Sequence, residues 1–203
     1  MSKIRSKEAW KRVNLPRKLW HASSGMFMIS ILIWNYPSKR MALQILFVAA
    51  VLMLIIDIVR FSSREGKSFF QNYFGQLAGT KEEDGPNASF FYAVSLLIAV
   101  LLFSPRIAMG AIASLAIGDP IAAIVGIMFG RHRVWDKSIE GGAANALVSF
   151  ILINFFVLSP LVAASGAVAG AFVELLPIPK VDDNLSVPIV SGLVMTIVQS
   201  LIS

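Results

Sequence analysis

Gly118-Asp119-Pro120 sits inside a long apolar run, and Asp119 is the one ionisable residue well inside any such run of this chain. A charge at mid-membrane costs about 3 kcal/mol on insertion scales, so its presence calls for a reason. Proline lacks a backbone donor and crowds the preceding turn, so the helix is expected to break at 118–120 and restart at Pro120 with Asp119 near its cap. A helix start of that kind offers N–H groups to phosphate, and a carboxylate there can hold a magnesium ion bridging phosphate oxygens. A plain proline kink, with Asp119 capping a helix end, is the alternative.

Around it, Gly110, Ser114, Gly118, Ala122, Gly126 and Gly130 recur every fourth residue. Such a ridge allows close helix packing, and equally close approach of a nucleotide to backbone. Arg131, His132 and Arg133 follow, and a basic cluster at the end of an apolar run is an ordinary topology anchor. Lys137-Ser138-Ile139-Glu140-Gly141-Gly142 then combines a compact positive charge with two glycines that permit tight backbone geometry. Asp136 precedes Lys137 where a phosphate-binding loop of the Walker type has glycine, so that fold is not supported.

Two further groups qualify. Asp182-Asp183-Asn184, with Pro188 four residues on, offers hard oxygen ligands of the kind a magnesium–nucleotide complex needs, although adjacent acids in a loop are commonly just solvated. Arg17-Lys18-Leu19-Trp20-His21 stands at the mouth of the first apolar run. Arg17 and His21 share a helix face at i and i+4, and an imidazole ordinarily titrates near neutral pH, which makes His21 a candidate acid, base or phosphate donor. Asp57 and Glu174 fall at the ends of apolar runs, where interfacial water is expected to serve them.

These residues must be positioned by helices in lipid. Of 203 residues 56% are hydrophobic and 15% charged, and the mean hydropathy is +0.72. A soluble globular domain does not have this composition. Apolar runs at 19–34, 41–58, 90–103, 107–128, 143–158, 161–176 and 187–202 predict an all-α polytopic bundle of about seven transmembrane helices. Six remain possible, because 161–176 is rich in Ala and Gly. The domain organisation expected is a basic arm over 1–18 and one transmembrane catalytic domain over 19–203, with no cleaved signal.

With the arm in the cytosol, every Lys and Arg except Lys39, Arg40 and Arg106 falls on the same face as the motifs. The expected site is therefore cytosolic, in what is taken to be a prokaryotic plasma membrane, an assignment no residue carries. The net charge of +6 lies beside apolar runs, so anionic lipid headgroups rather than nucleic acid are the expected neighbours. No cysteine is present, which excludes disulfides and thiolate chemistry. Phe69, Phe70, Tyr73, Phe74 and Leu77 recur at helical spacing, consistent with a helix in the headgroup layer or one packed against the spans. Oligomeric state is not legible.

Taken together, Arg17-Lys18-x-x-His21, Asp57-x-x-Arg60, the Gly118–Gly130 run, KSIEG and DDNLSVP resemble the CTP-dependent lipid kinase family, which includes dolichol kinase, phytol kinase and the fungal type of diacylglycerol kinase. More distantly it is similar to phosphatidate cytidylyltransferases. The resemblance runs from about Arg17 to Gly192 and is most specific over Gly118–Gly142. It implies a cytosolic CTP site built around Gly118, Asp119, Lys137, Glu140 and Gly141, with a divalent cation, and a lipid alcohol entering from the bilayer. Lys81-Glu82-Glu83 departs from the family pattern, which often carries Arg-x-x-Glu there.

On this basis Asp119, Asp182 and Asp183 are the expected Mg2+ ligands. Arg17, Lys18, Gly118, Gly126, Lys137, Ser138, Glu140 and Gly141 are the expected CTP-binding residues, and Asp119, Lys137, Asp183 and His21 the expected catalytic ones. The base for the lipid hydroxyl is unassigned between His21 and Asp183. A cytidylyltransferase forming a CDP-lipid and pyrophosphate is the alternative enzyme. A transporter is the alternative class, although the ionisable groups gather near one leaflet rather than along a path.

Overall fold

The computed structural model describes residues 14–74, 87–178 and 181–203. Most of the basic arm, and Lys81-Glu82-Glu83, lie outside them. The described residues are almost wholly helical: α1 (Leu15–Trp34), α2 (Arg40–Ser62), α3 (Arg64–Phe74), α4 (Ala88–Leu102), α5 (Pro105–Ala113), α6 (Asp119–Met128), α7 (Ile139–Val157), α8 (Pro160–Leu175) and α9 (Asp183–Ile202). A two-residue hairpin interrupts them, β1 (Arg133–Val134) with β2 (Lys137–Ser138), in the register Arg133 opposite Ser138.

Prolines at the first turns of α1, α5 and α8 begin helices where their missing N–H costs nothing. By length and composition four helical stretches can cross a bilayer: Arg40–Ser62, Pro105–Met128, Ile139–Val157 and Asp183–Ile202. Ala88–Leu102 and Pro160–Leu175 are apolar but shorter.

The expected break at Gly118–Pro120 takes a different form. Asp119 has ordinary helical angles (φ −61°, ψ −46°), and α5 runs into α6 through a π turn over Ser114–Gly118. Widening the turn accommodates a ring that would strike the carbonyl four residues back, and it absorbs the missing donor without ending the helix. No fresh helix start is therefore exposed at Pro120. Asp119 instead projects from a continuous, bulged helix.

The buried centre of the bundle comes from α1, α4, α5, α7, α8 and α9, with Leu32, Leu96, Ile112, Ile153, Val162, Val187 and Met195 enclosed. Large apolar side chains also cover the outside: Phe47, Ile151, Phe155, Val168, Phe172 and Ile197 are each more than half exposed. In water such a surface would aggregate. Against lipid tails it is the expected exterior.

The aromatic helix is α3. Phe70 is buried beneath the Arg60 guanidinium, 4.9 Å from the ring centre, while Phe69 and Tyr73 point outward with their rings 4.6 Å apart. One face thus packs on the bundle and the other meets the surroundings. The Phe74 side chain and Leu77 lie outside the described residues.

Candidate active site

Four sequence-distant motifs meet at the end of the bundle where α1 begins and α8 ends. Lys18, one turn into α1 and only 7% exposed, reaches α6 and places Nζ 2.6 Å from Asp119 Oδ2. Lys137, on β2, reaches the first turn of α9 and places Nζ 2.6 Å from Asp183 Oδ2. Lys137 also donates to the backbone carbonyl of Glu174 and lies 3.8 Å from its Oε1. Asp119 is within the fields of Lys18, Lys137 and Arg17, so the two ion pairs share one electrostatic environment.

Each lysine is held by its scaffold. The hairpin turns through Trp135 in the left-handed region (φ 52°) and is closed by Glu140, whose Oε1 accepts from His132 Nδ1 at 2.7 Å and from His132 N at 3.1 Å. Ser138 caps α7 by accepting from Gly141 N. The small-residue ridge lets these pieces close up. A Cβ on Gly126 would stand 2.8 Å from Ser138 Oγ, one on Gly141 would stand 2.6 Å from the Ala122 carbonyl, and one on Gly118 would strike the Asn145 amide. Protein packs against this ridge at Gly118, Ala122 and Gly126.

His21 is 3% exposed and stacks on Tyr92 with ring centres 4.2 Å apart, while the Tyr92 hydroxyl donates to the His21 carbonyl at 2.6 Å. Its Nε2 has no hydrogen-bond partner among the described residues. Asp182 caps α9, accepting from Asn184 N at 2.8 Å, and burial pushes its carboxyl above the ordinary value.

Sequence reasoning passes over several members of this site. Glu174, expected to sit in interfacial water, is 4% exposed and accepts from the side-chain amide of Asn145. Asn145 Oδ1 lies 2.7 Å from Ser149 Oγ, which is 3.2 Å from Ser114 Oγ in the π turn. This buried polar file runs inward from Lys137. The signal available was Asn145 and Ser149 at i and i+4 on one helix, which are individually unremarkable in membrane helices. Asp57 is likewise buried rather than water-served: it pairs with Arg60 at 3.4 Å and accepts from Asn87 N at 2.9 Å, tying α2 to the start of α4.

Among the described residues no three Asp, Glu or His side chains converge as a metal cage. Asp119 and Asp183 are each committed to a lysine instead. That arrangement fits an ion that arrives with phosphate and water ligands and takes one or two carboxylates, as Mg2+ commonly does.

No protein-family model matches the chain, and no solved structure matches it. Among curated proteins, an uncharacterized protein of Rickettsia prowazekii is 28% identical over 85% of this chain and 88% of its own length. CTP-dependent diacylglycerol kinase 1 of Schizosaccharomyces pombe is 23% identical over 93% of this chain and 94% of its own. Phytol kinase of Synechocystis is 29% identical over 88% of this chain and 76% of its own.

Proposed function

We propose that this chain, a relative of the CTP-dependent lipid kinases, transfers the γ-phosphoryl group of CTP to the hydroxyl of a membrane lipid alcohol and releases CDP. The observation that carries the proposal is the meeting of the Lys18–Asp119 and Lys137–Asp183 pairs at one end of an apolar bundle. Isoprenoid alcohols and diacylglycerol are the acceptor classes, in line with the phytol kinase and diacylglycerol kinase names of its relatives.

In this reading seven helices cross the bilayer and the site faces the cytosol. Arg17, Lys18 and Lys137 neutralise the nucleotide phosphates as they enter, and each lysine exchanges its carboxylate for a phosphate oxygen. Asp119 and Asp183 would hold Mg2+, which would supply charge neutralisation to the phosphates. Phosphoryl transfer depends mainly on such positioning and electrostatics. Asp182 keeps α9 capped beside them, and the hairpin closed by Glu140 holds Lys137 and Ser138 over the site. Arg131, Arg133 and the basic arm attract anionic headgroups.

Purified protein incubated with γ-labelled CTP and a panel of lipid alcohols should yield labelled lipid phosphate and CDP. Pyrophosphate with a CDP-lipid would replace the kinase by a cytidylyltransferase, and absence of both products would remove the enzyme reading.

A further inference from the structure

The acceptor hydroxyl must lose a proton during transfer; Asp119 is given over to Lys18 and Asp182 to the α9 cap, which leaves Asp183, His21 and Glu174 as acceptors. Asp183 is 45% exposed along its side chain and paired with Lys137 at 2.6 Å without nucleotide, and in the proposed function it would hold the metal once that lysine turns to phosphate, so it is neutralised in either state. A proton on His21 would place a third cation in a buried position already beside Arg17 and Lys18. Glu174 differs from both. It is the most deeply set carboxylate of the cluster, and its nearest cation, Lys137, stands 3.8 Å from Oε1 rather than in contact. It is within the fields of Asp119 on α6, Lys137 on β2 and Lys18 on α1, with the Asn145 amide of α7 holding its other oxygen.

The helix that carries it also has an apolar outer face. On α8, Phe172 and Val168 are each 62% exposed on the outer side, while Glu174 is turned inward at the end nearest the nucleotide motifs. The same helix therefore carries the apolar outer face and, two residues beyond Phe172, the enclosed carboxylate.

Resting on the kinase reading, we propose that Glu174 is the proton acceptor for the lipid hydroxyl. The alcohol oxygen forms a bond to Pγ, and the bond from Pγ to the β,γ-bridging oxygen breaks. CDP leaves with that oxygen and its electron pair, and the hydroxyl proton passes to a Glu174 carboxylate oxygen. The protonated side chain keeps its place, because Asn145 still holds it. A buried acceptor of this kind contributes on the order of 10²- to 10⁴-fold to rate.

The test uses full-length protein in detergent. E174Q conserves shape and leaves the Glu174 backbone carbonyl and Asp183 to hold Lys137, so labelled-CTP binding and the KM for CTP should stay within threefold of wild type while kcat falls at least 100-fold. E174D, which keeps a carboxylate, should recover at least tenfold over E174Q. A kcat of E174Q within threefold of wild type overturns the assignment, and so does loss of CTP binding in step with kcat, which marks a structural role. If E174Q does not yield monodisperse protein, E174D decides. Withdrawing the carboxylate by one methylene should lower its kcat at least tenfold at unchanged CTP binding, and an unchanged kcat overturns the proposal. A wild-type protein that phosphorylates no alcohol removes the kinase reading itself, an outcome distinct from an active wild type with an unimpaired E174Q.

Discussion

The Lys18–Asp119 contact joins residues 101 apart in sequence, and it can be taken apart at either end. Lys18→Met strands a largely enclosed carboxylate and should cost on the order of 3 kcal/mol. Asp119→Asn leaves a neutral amide that still accepts from the ammonium, and should cost less. Both should abolish phosphoryl transfer, while thermal unfolding in detergent ranks them, with Lys18→Met the less stable. Asp182 tests the cap. Its carboxyl is raised by burial, so the folded state holds the proton more tightly than the unfolded state does, and stability falls as pH rises from the ordinary aspartate value through the raised one. Asp182→Asn preserves capping and removes that loss. Its unfolding temperature should match or exceed wild type at pH 8, with the difference shrinking below about pH 4. Asp119 stands out in the sequence because a charge in an apolar run is rare, and Lys137 because Gly141 and Gly142 follow it in one short motif. Glu174 and Asn145 do not, because the burial of a residue at a run's end depends on which helix lies beside it.

At the scale of the element, the π turn sets the direction of Asp119. A wide turn carries one residue more than an α turn, so everything after it is rotated by about 100° relative to a regular helix. Pro120→Ala restores the donor and removes the ring that demands the widening. The helix should then relax toward regular α geometry and swing Asp119 away from Lys18. The expected result is unchanged or higher thermal stability with at least a tenfold loss of transfer, read by unfolding and product assays on the same preparation. Gly126→Val tests the ridge. With Ser138 Oγ 2.8 Å from the added Cβ, the hairpin must shift and the α7 cap with it, at a cost of about 1–3 kcal/mol. The every-fourth-residue spacing was plain in the sequence. What fills the ridge was not, because small residues serve helix packing and ligand approach alike.

At the scale of the whole molecule, the motif-bearing end and the opposite end are both tied across the bundle. Lys18 and Lys137 do so at the first, and Lys39, which donates to the Phe103 carbonyl at 2.9 Å, does so at the second. The chain has no cysteine, so single cysteines report sidedness without a background. Asp136→Cys should react with an impermeant thiol reagent only from the cytosolic side and Ser104→Cys only from the other. Labelling of both from one side would remove the seven-crossing topology.

The sequence by itself determined that the chain is an apolar helical protein with its cationic motifs grouped apart from Lys39, Arg40 and Arg106. Hydropathy is a local sum over one segment, and the need to satisfy backbone groups in lipid leaves few other folds. Only the tertiary structure decided which carboxylate meets which lysine, that Pro120 widens a helix rather than ending it, and that Glu174 is enclosed. Each of these depends on the rotation and neighbours of helices distant in sequence, which no single segment encodes.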